Sequence, residues 1–385
     1  MIFTTPAMTG AETAVHHEID QLREKLAYAV SSRRWYGLLS RVSRAKAIQG
    51  SNSIEGYNVT VEDALAAVDG EEPLDAKSET WAAIVGYRNA MTYVLQLADD
   101  KHFGYSPDLI RSLHYTMTSY DLSKHSGRWR PGPIFVQNEA TGERVYEGPD
   151  IEQVPGLIDE LMTELNSDSH PPMVRAAMAH LNLVMIHPFS DGNGRMARCL
   201  QSLVLAREGI IAPEFSSIEE YLGRNQLEYY EVLGDVGQGS WHPERDATRW
   251  VRFCLTAHYR QAVTLLRRSR EFHRMCDAID EVIAKAKLPQ RTFFALADTT
   301  QGFRLVNSRY RSVAEVSPNL ASRDLANLCE LGLLEAHGER RGRFYTAAVS
   351  LKDIRARTRE PRVPIPDPFT SGIQELERSQ RSLLG

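Results

Sequence analysis

The sequence predicts a mainly α-helical protein, and three observations carry that prediction. Apolar residues recur three and four apart through most of the 385-residue chain, which is the spacing of one buried helix face. A single glycine- and proline-rich stretch, GRWRPGPIFVQNEATGERVYEGPD, holds two short β-like runs around a turn-like NEATGE and predicts one hairpin at 133–147. From residue 289 the pattern shifts to shorter helices that close on a two-stranded end.

Each element has a local reason. Residues 13–100 read as helices, with LREKLAYAV as a typical periodic stretch. VTVEDALAAVDG opens on Thr60 as an N-cap with Asp63 three residues on, and stops at Gly70. ETWAAIVGYRNAMTYVLQLAD is amphipathic, and residues 106–122 begin with Ser-Pro-Asp, placing proline in the first turn. After the hairpin, IEQVPGLIDELMTELN and MVRAAMAHLNLVMI are helical, and MARCLQSLVLAREG continues as helix to Gly209. EEYLGRNQLEYYEVL reads as one helix, and the run from Ala247 to Lys287 as another, long enough to be broken. Residues 360–368, EPRVPIPDP, read as a proline-rich linker and 371–385 as a loose helix. These divide the chain into an N-terminal helical region (1–105), a core (106–265), a C-terminal unit (289–350) and a tail (351–385).

Composition excludes several classes. The chain is 42% apolar and 25% charged, ordinary for a globular protein. Its net charge of −5 gives the whole molecule no attraction for polyanions. The four cysteines form no C-x-x-C pair, so a zinc ribbon or disulfide framework is not expected and a reducing compartment is. The first residues have neither a basic start nor an apolar stretch, and no apolar run approaches membrane-spanning length. A cytoplasmic protein without membrane association is expected.

The segment MIHPFSDGNGRMARCL, 185–200, concentrates the chemistry. A plain helix–loop–helix connection would explain the glycines but not an acid and two arginines beside them. GNGRMA also fits the dinucleotide fingerprint G-x-G-x-x-A, but the residues before it are helical in period and no alternating β/α texture follows. A phosphate-binding loop accounts for all of it. Gly192 and Gly194 lack Cβ atoms, so backbone N–H groups can crowd around phosphate oxygens. The following helix directs its positive end at the same place. Asp191 is a hard oxygen ligand for a divalent cation. Arg195 and Arg198 are three apart, on one helical face. His187 stands just before the loop as a base for neutral pH. His180, seven residues earlier, has no third ligand near and is expected to be a buried or capping residue.

HPFSDGNGRMAR resembles the signature of the Fic (filamentation induced by cyclic AMP) family, HPFx[DE]GNGRxxR, at every fixed position. The resemblance implies a Fic-type helical core with a β-hairpin flap, and transfer of AMP from ATP to a hydroxyl of a target protein. It makes His187 the general base, Asp191 the magnesium ligand, Gly192, Asn193 and Gly194 the anion hole, Arg195 and Arg198 the holders of the β- and γ-phosphates, and Phe189 a core anchor. Glycine at 194 favours nucleotidyl over phosphoryl transfer. SNSIEG, 51–56, resembles the inhibitory motif [ST]xxxE[GN]; Glu55, four residues after Ser51, is then expected to pair with Arg198 and brake the enzyme from within. Ile134, Phe135 and Val136 become flap candidates, to whose edge a target adds an extended strand. Tyr230, of the pair at 229–230, is the candidate for the adenine side.

SPNLASRDLANLCELGLLEAHGERRGRFY resembles the recognition helix and wing of a small C-terminal winged helix-turn-helix domain. Residues 290–350 hold eight arginines against six acids, so DNA binding would rest on Arg323, Arg340, Arg341 and Arg343 alone. The expectation is therefore an ATP- and Mg2+-dependent protein adenylyltransferase, self-modifying and homodimeric as relatives often are. A DNA-binding regulator with the core as nucleotide sensor, and an enzyme that removes AMP, are the alternatives.

Overall fold

The computed structural model describes residues 1–31, 33–71, 73, 77–137, 142–167, 170–208, 217–339 and 342–370. Five helices come first: α1 (Gly10–Val30), α2 (Tyr36–Ile54), α3 (Val61–Asp69), α4 (Ser78–Leu97) and α5 (Pro107–Thr118). Local chemistry sets their ends. Thr60 accepts the Asp63 N–H at 3.0 Å, and Gly70 closes the same helix at φ 74°. Ser106 accepts the Leu109 N–H at 3.2 Å, with proline just inside.

The hairpin is β1 (Phe135–Gln137) and β2 (Arg144–Glu147), antiparallel, with Val136 opposite Tyr146 and a bulge between Val136 and Gln137. Most of the predicted turn lies outside the described residues. A third strand not anticipated, β3 (Gly239–Ser240), runs parallel to β2. Among the described residues β2 is therefore internal and β1 lies at the sheet edge.

Helices α6 (Val154–Ser167), α7 (Pro172–Ile186) and α8 (Asn193–Arg207) follow. Almost every residue of α7 and α8 is buried, because α1, α4, α5, α6 and the long helix at 248–285 surround them in one apolar core. The N-terminal helices belong to this same core, so residues 1–105 do not stand apart from 106–265. EEYLGRNQLEYYEVL is not one helix: it divides at Asn225 into α9 (Glu219–Arg224) and α10 (Gln226–Gly237). Asn225 (φ −123°) ends the first and its carbonyl starts the second, accepting from Tyr229 N–H at 3.0 Å. Conversely α11 (Thr248–Lys285) runs 38 residues without a break; it holds neither proline nor glycine, the usual causes of a kink.

Past α11 the elements are α12 (Phe293–Thr300), β4 (Leu305–Val306), α13 (Asn307–Ala314), α14 (Pro318–Glu330), β5 (Leu334–His337) and β6 (Phe344–Ala347), with sheet order β4-β6-β5. Residues 351–357, expected as the start of a tail, instead belong to α15 (Val349–Arg357), because Leu351 and Ile354 fill a second apolar core. Residues 371–385, expected as a loose helix, lie outside the described residues. The second core also takes Leu38, Leu39, Val42 and Ala45 from the first half of α2. Arg41 of α2 bonds both carboxylate oxygens of Asp298 at 2.9 Å and lies 3.9 Å from the Phe303 ring centroid. The second half of α2 crosses α9 at glycines: a Cβ on Gly223 would sit 2.6 Å from Gly50 Cα. No helix among the described residues is long and apolar enough to cross a membrane.

Candidate active site

The site is built on the turn between α7 and α8. α7 stops because His187 adopts a left-handed conformation (φ 53°), its N–H still bonded to Leu183 O at 3.0 Å. Phe189 then plunges into the core, fully buried and stacked on His114 with centroids 3.7 Å apart. Asn193 clasps the turn, donating to Phe189 O at 2.8 Å and accepting from Phe189 N–H at 2.9 Å. Its side chain is thus spent on the loop, which leaves its backbone N–H as its part of any anion hole. Gly192, at φ 77°, is the N-cap of α8, and no side chain caps that helix. The helix start is open to an anion.

His187 is half-buried and its Nδ1–H donates to Val184 O at 3.0 Å. That bond fixes the tautomer and leaves the Nε2 lone pair free to take a proton. Burial pulls the imidazole below its ordinary pKa, so it is neutral, and a base, at neutral pH. Asp191 keeps a carboxylate held below its usual pKa by Arg195 and Lys124 against the cost of burial. One of its oxygens accepts the Gly192 N–H at 2.7 Å; the other lies 3.0 Å from Lys124 Nζ and 3.6 Å from Arg195 NH2.

The two arginines differ. Arg198 is buried, and its Nε and NH2 bond Ser51 Oγ and O at 2.8 and 2.9 Å. NH2 also donates to Glu55 Oε1 at 2.7 Å. Desolvation works against its charge, but the Glu55 carboxylate outweighs it and the guanidinium pKa is raised. Arg195 is wholly buried, with Asp191 Oδ2 3.6 Å from its NH2 and the Tyr57 ring centroid 5.0 Å from its Cζ. Gly194 is glycine for room, since a Cβ there would collide with Glu55 Oε1 and lie 3.2 Å from Arg198 NH1.

The structure therefore gathers His187, Asp191, Gly192, Asn193, Gly194, Arg195 and Arg198 with Ser51 and Glu55. The hairpin sits alongside: Ile134 O accepts the Gly148 N–H at 3.3 Å, and Tyr146 OH donates to Met185 O at 2.9 Å, two residues before His187. Ile134, Phe135 and Val136 are all half-buried. Of the tyrosine pair, Tyr229 is core, its hydroxyl 3.0 Å from His180 Nε2, whereas Tyr230 donates to Ile54 O at 3.1 Å, next to Glu55. His180 is buried between Tyr229 and Gln201, a satisfied core residue.

Several contributors carried no signal in sequence. His114 accepts Gly127 N–H at 2.9 Å and faces Asp191 O at 2.9 Å. Arg130, almost fully buried, donates from Nε to His187 O at 3.1 Å and from NH1 to Gly132 O at 2.6 Å, fixing the turn to the base of the hairpin. Lys124, Tyr57 and Tyr120 meet beside Asp191.

An uncapped helix start, two buried arginines, an imidazole and a hairpin thus lie together in one place. Residues 104–205 match the family model described as Fic/DOC family. It is 27% identical over 240 residues to "Protein adenylyltransferase Fic" of Nematostella vectensis, covering 62% of this chain and 54% of that protein. It is 26% identical over 256 residues to "Protein adenylyltransferase fic-1" of Caenorhabditis elegans, covering 64% and 49%. The chain thus spans about half the length of the curated relatives it matches. Its fold is that of the crystal structure of a Fic family protein from Desulfovibrio desulfuricans, with TM-score 0.58 at 20% identity over 90% of this chain and 98% of that one. A Fic domain-containing signaling protein from Bacteroides thetaiotaomicron superposes at TM-score 0.54 and 24% identity, over 66% and 96%.

Proposed function

We propose that this chain is an ATP-dependent protein adenylyltransferase held in check by Glu55. The observation that carries the reading is the 2.7 Å pair between Glu55 and Arg198, laid across Gly194 at the mouth of an uncapped helix. A triphosphate seated on the N–H groups of 193–195 brings its innermost phosphorus toward His187 and its outer phosphates toward Arg195 and Arg198. The target hydroxyl attacks that phosphorus and its proton passes to His187 Nε2. The bond to the β-phosphate breaks and pyrophosphate leaves. Phosphoryl chemistry rests on such positioning and charge. Among the described residues no three His, Cys, Asp or Glu side chains form a metal cluster. The donor set fits a cation held by Asp191 with phosphate oxygens as the other ligands; Mg2+ there would neutralise charge building on the phosphates.

In this reading Glu55 takes the guanidinium donor that the γ-phosphate needs, and β1 offers its free edge to an extended segment of the target. The order α12, β4, α13, α14, β5, β6 supports a winged helix-turn-helix unit. Its charge does not favour DNA: Asp324 on α14 is buried against Arg291 (2.7 Å) and Tyr310 OH (2.9 Å). Arg340 and Arg341 lie outside the described residues. A protein-contact role suits it better, and a homodimer and self-modification complete the proposal. The test is incubation with α-labelled ATP and Mg2+. Label entering protein with Glu55→Gly, and not with Glu55→Gly/His187→Ala, is expected; equal labelling by both removes the mechanism.

A further inference from the structure

Lys124 ends a short 3-10 turn, Leu122–Lys124, that leaves α5. The turn is rigid for its size: Asp121 Oδ1 accepts from Ser123 N–H at 3.0 Å and Oγ at 2.6 Å. The lysine side chain is only 14% exposed and points inward. Its ammonium has three neighbours: Tyr57 OH at 2.9 Å, Tyr120 OH at 3.1 Å and Asp191 Oδ2 at 3.0 Å. Lysine holds a compact, strongly hydrated charge, and enclosing it without function is expensive.

Two features say what the charge is for. Asp191 is the carboxylate placed to hold a cation beside the phosphates, and Lys124 lies against the same oxygen that Arg195 approaches at 3.6 Å. Second, the charges of the cradle are unequal. Arg195, Arg198 and Lys124 face Asp191 and Glu55, leaving one positive charge while the brake is on and two once Glu55 withdraws. A magnesium-bound triphosphate carries about two negative charges near neutral pH, and hard phosphate oxygens are the partners such cations select. Without Lys124 the cradle falls one charge short.

We propose that Lys124 is a phosphate-binding residue of this site, specific for the outer phosphates, which Asp191 and the two tyrosines park until nucleotide arrives. When a cation takes Asp191, the ammonium is released from that carboxylate to a β- or γ-phosphate oxygen a short distance away. Tyr57, two residues after Glu55 and bonded through its N–H to Asn52 O at 3.0 Å, ties the parked lysine to the end of the inhibitory helix. Withdrawal of Glu55 therefore loosens the parking as well. This inference rests on the nucleotide reading above.

Calorimetric titration of ATP, ADP and AMP with Mg2+ into Glu55→Gly, Glu55→Gly/Lys124→Met and Glu55→Gly/Lys124→Arg tests it, with Mn2+ affinity followed separately by paramagnetic resonance. Lys124→Met is expected to weaken ATP about tenfold, ADP less and AMP not at all, and Lys124→Arg to restore most of the loss. If ATP, ADP and AMP weaken alike, lysine merely holds the loop in shape and the assignment is overturned. It is also overturned if ATP affinity stays within twofold while Mn2+ binds more tightly, since Lys124 is then only a counterion of Asp191. Absence of ATP binding by the Glu55→Gly parent overturns the nucleotide reading itself, and the lysine assignment with it.

Discussion

Replacing Glu55 by glycine is the sharpest perturbation available, because the geometry fixes both its sign and its size. The carboxylate makes one charge-assisted bond, at 2.7 Å, to an arginine that is wholly buried. Glu55 itself keeps 23% exposure, so water screens the pair and its worth sits near the middle of the ~1.5–3 kcal/mol found for bonds to charged groups. Taking about 2 kcal/mol, a γ-phosphate that must evict Glu55 binds about thirtyfold more weakly than one that need not. Glu55→Gly should therefore tighten ATP by about thirtyfold and leave AMP, which has no outer phosphates, within about twofold. The same change strips Arg198 of its ion-pair partner, so the midpoint of thermal unfolding should fall without nucleotide and recover with ATP and Mg2+. Equilibrium titration and differential scanning calorimetry read the two effects. An equal gain for ATP and AMP, or an unchanged ligand-free midpoint, would refute the competition between Glu55 and phosphate.

Other outcomes follow from the same geometry. His187→Ala should abolish transfer while ATP affinity changes by less than about threefold, since in the proposed mechanism the imidazole takes the hydroxyl proton and does not hold the phosphates; retained turnover identifies another base. The rate should rise through an acid limb centred below the ordinary imidazole value of about 6.5 and be flat above pH 7, because burial depresses His187; a midpoint above 7 contradicts this. Stability should fall as the solution is acidified from neutrality. His114, His180 and His258 are neutral in the fold, the first two pulled down to about 4 and about 3 by desolvation and the third well below the usual value by the same cause. The unfolded chain therefore binds three more protons below about pH 6.5. Buried Glu219, pushed up to about 7 by desolvation, works the other way by one. The net slope between pH 6.5 and 4.5 should be about two protons, or ~2.7 kcal/mol per pH unit, and a urea midpoint that stays level from pH 7 to 5 would show these burials to be wrong. Finally, Gly50→Ala puts a Cβ 2.9 Å from Glu220 Cα, which should cost ~1–3 kcal/mol of stability and raise self-labelling by pushing α2 off its seat; wild-type labelling would mean that the crossing can yield without moving Glu55.

The legible part of this site was the part that is contiguous. HPFSDGNGRMAR packs base, acid, glycines and arginines into twelve residues, and SNSIEG needs only a four-residue spacing. The helices were legible wherever periodicity and caps agreed, as at Thr60 and Ser106. What escaped was assembled by tertiary contact from unremarkable residue types. Lys124 and Tyr57 are 67 positions apart, and nothing in either neighbourhood announces the other. His114 and Arg130 look like ordinary helix and loop residues until Phe189 stacks on one and His187 O meets the other. Helix boundaries failed where pattern and backbone disagreed: an apolar period runs straight across Asn225, while the length of α11 suggested a break that no proline or glycine supplies.

α2 has its two ends in different surroundings. Arg41 is clamped to Asp298 within the C-terminal core, while ten residues on Ser51, and Glu55 beyond it, grip Arg198. A hydrogen-bonded rod of 19 residues transmits tilt and rotation without absorbing them. In the proposed reading of Glu55 as a brake, a load that shifts α12 against the long helix is carried along α2 to that carboxylate, which gives the terminal unit a lever on it.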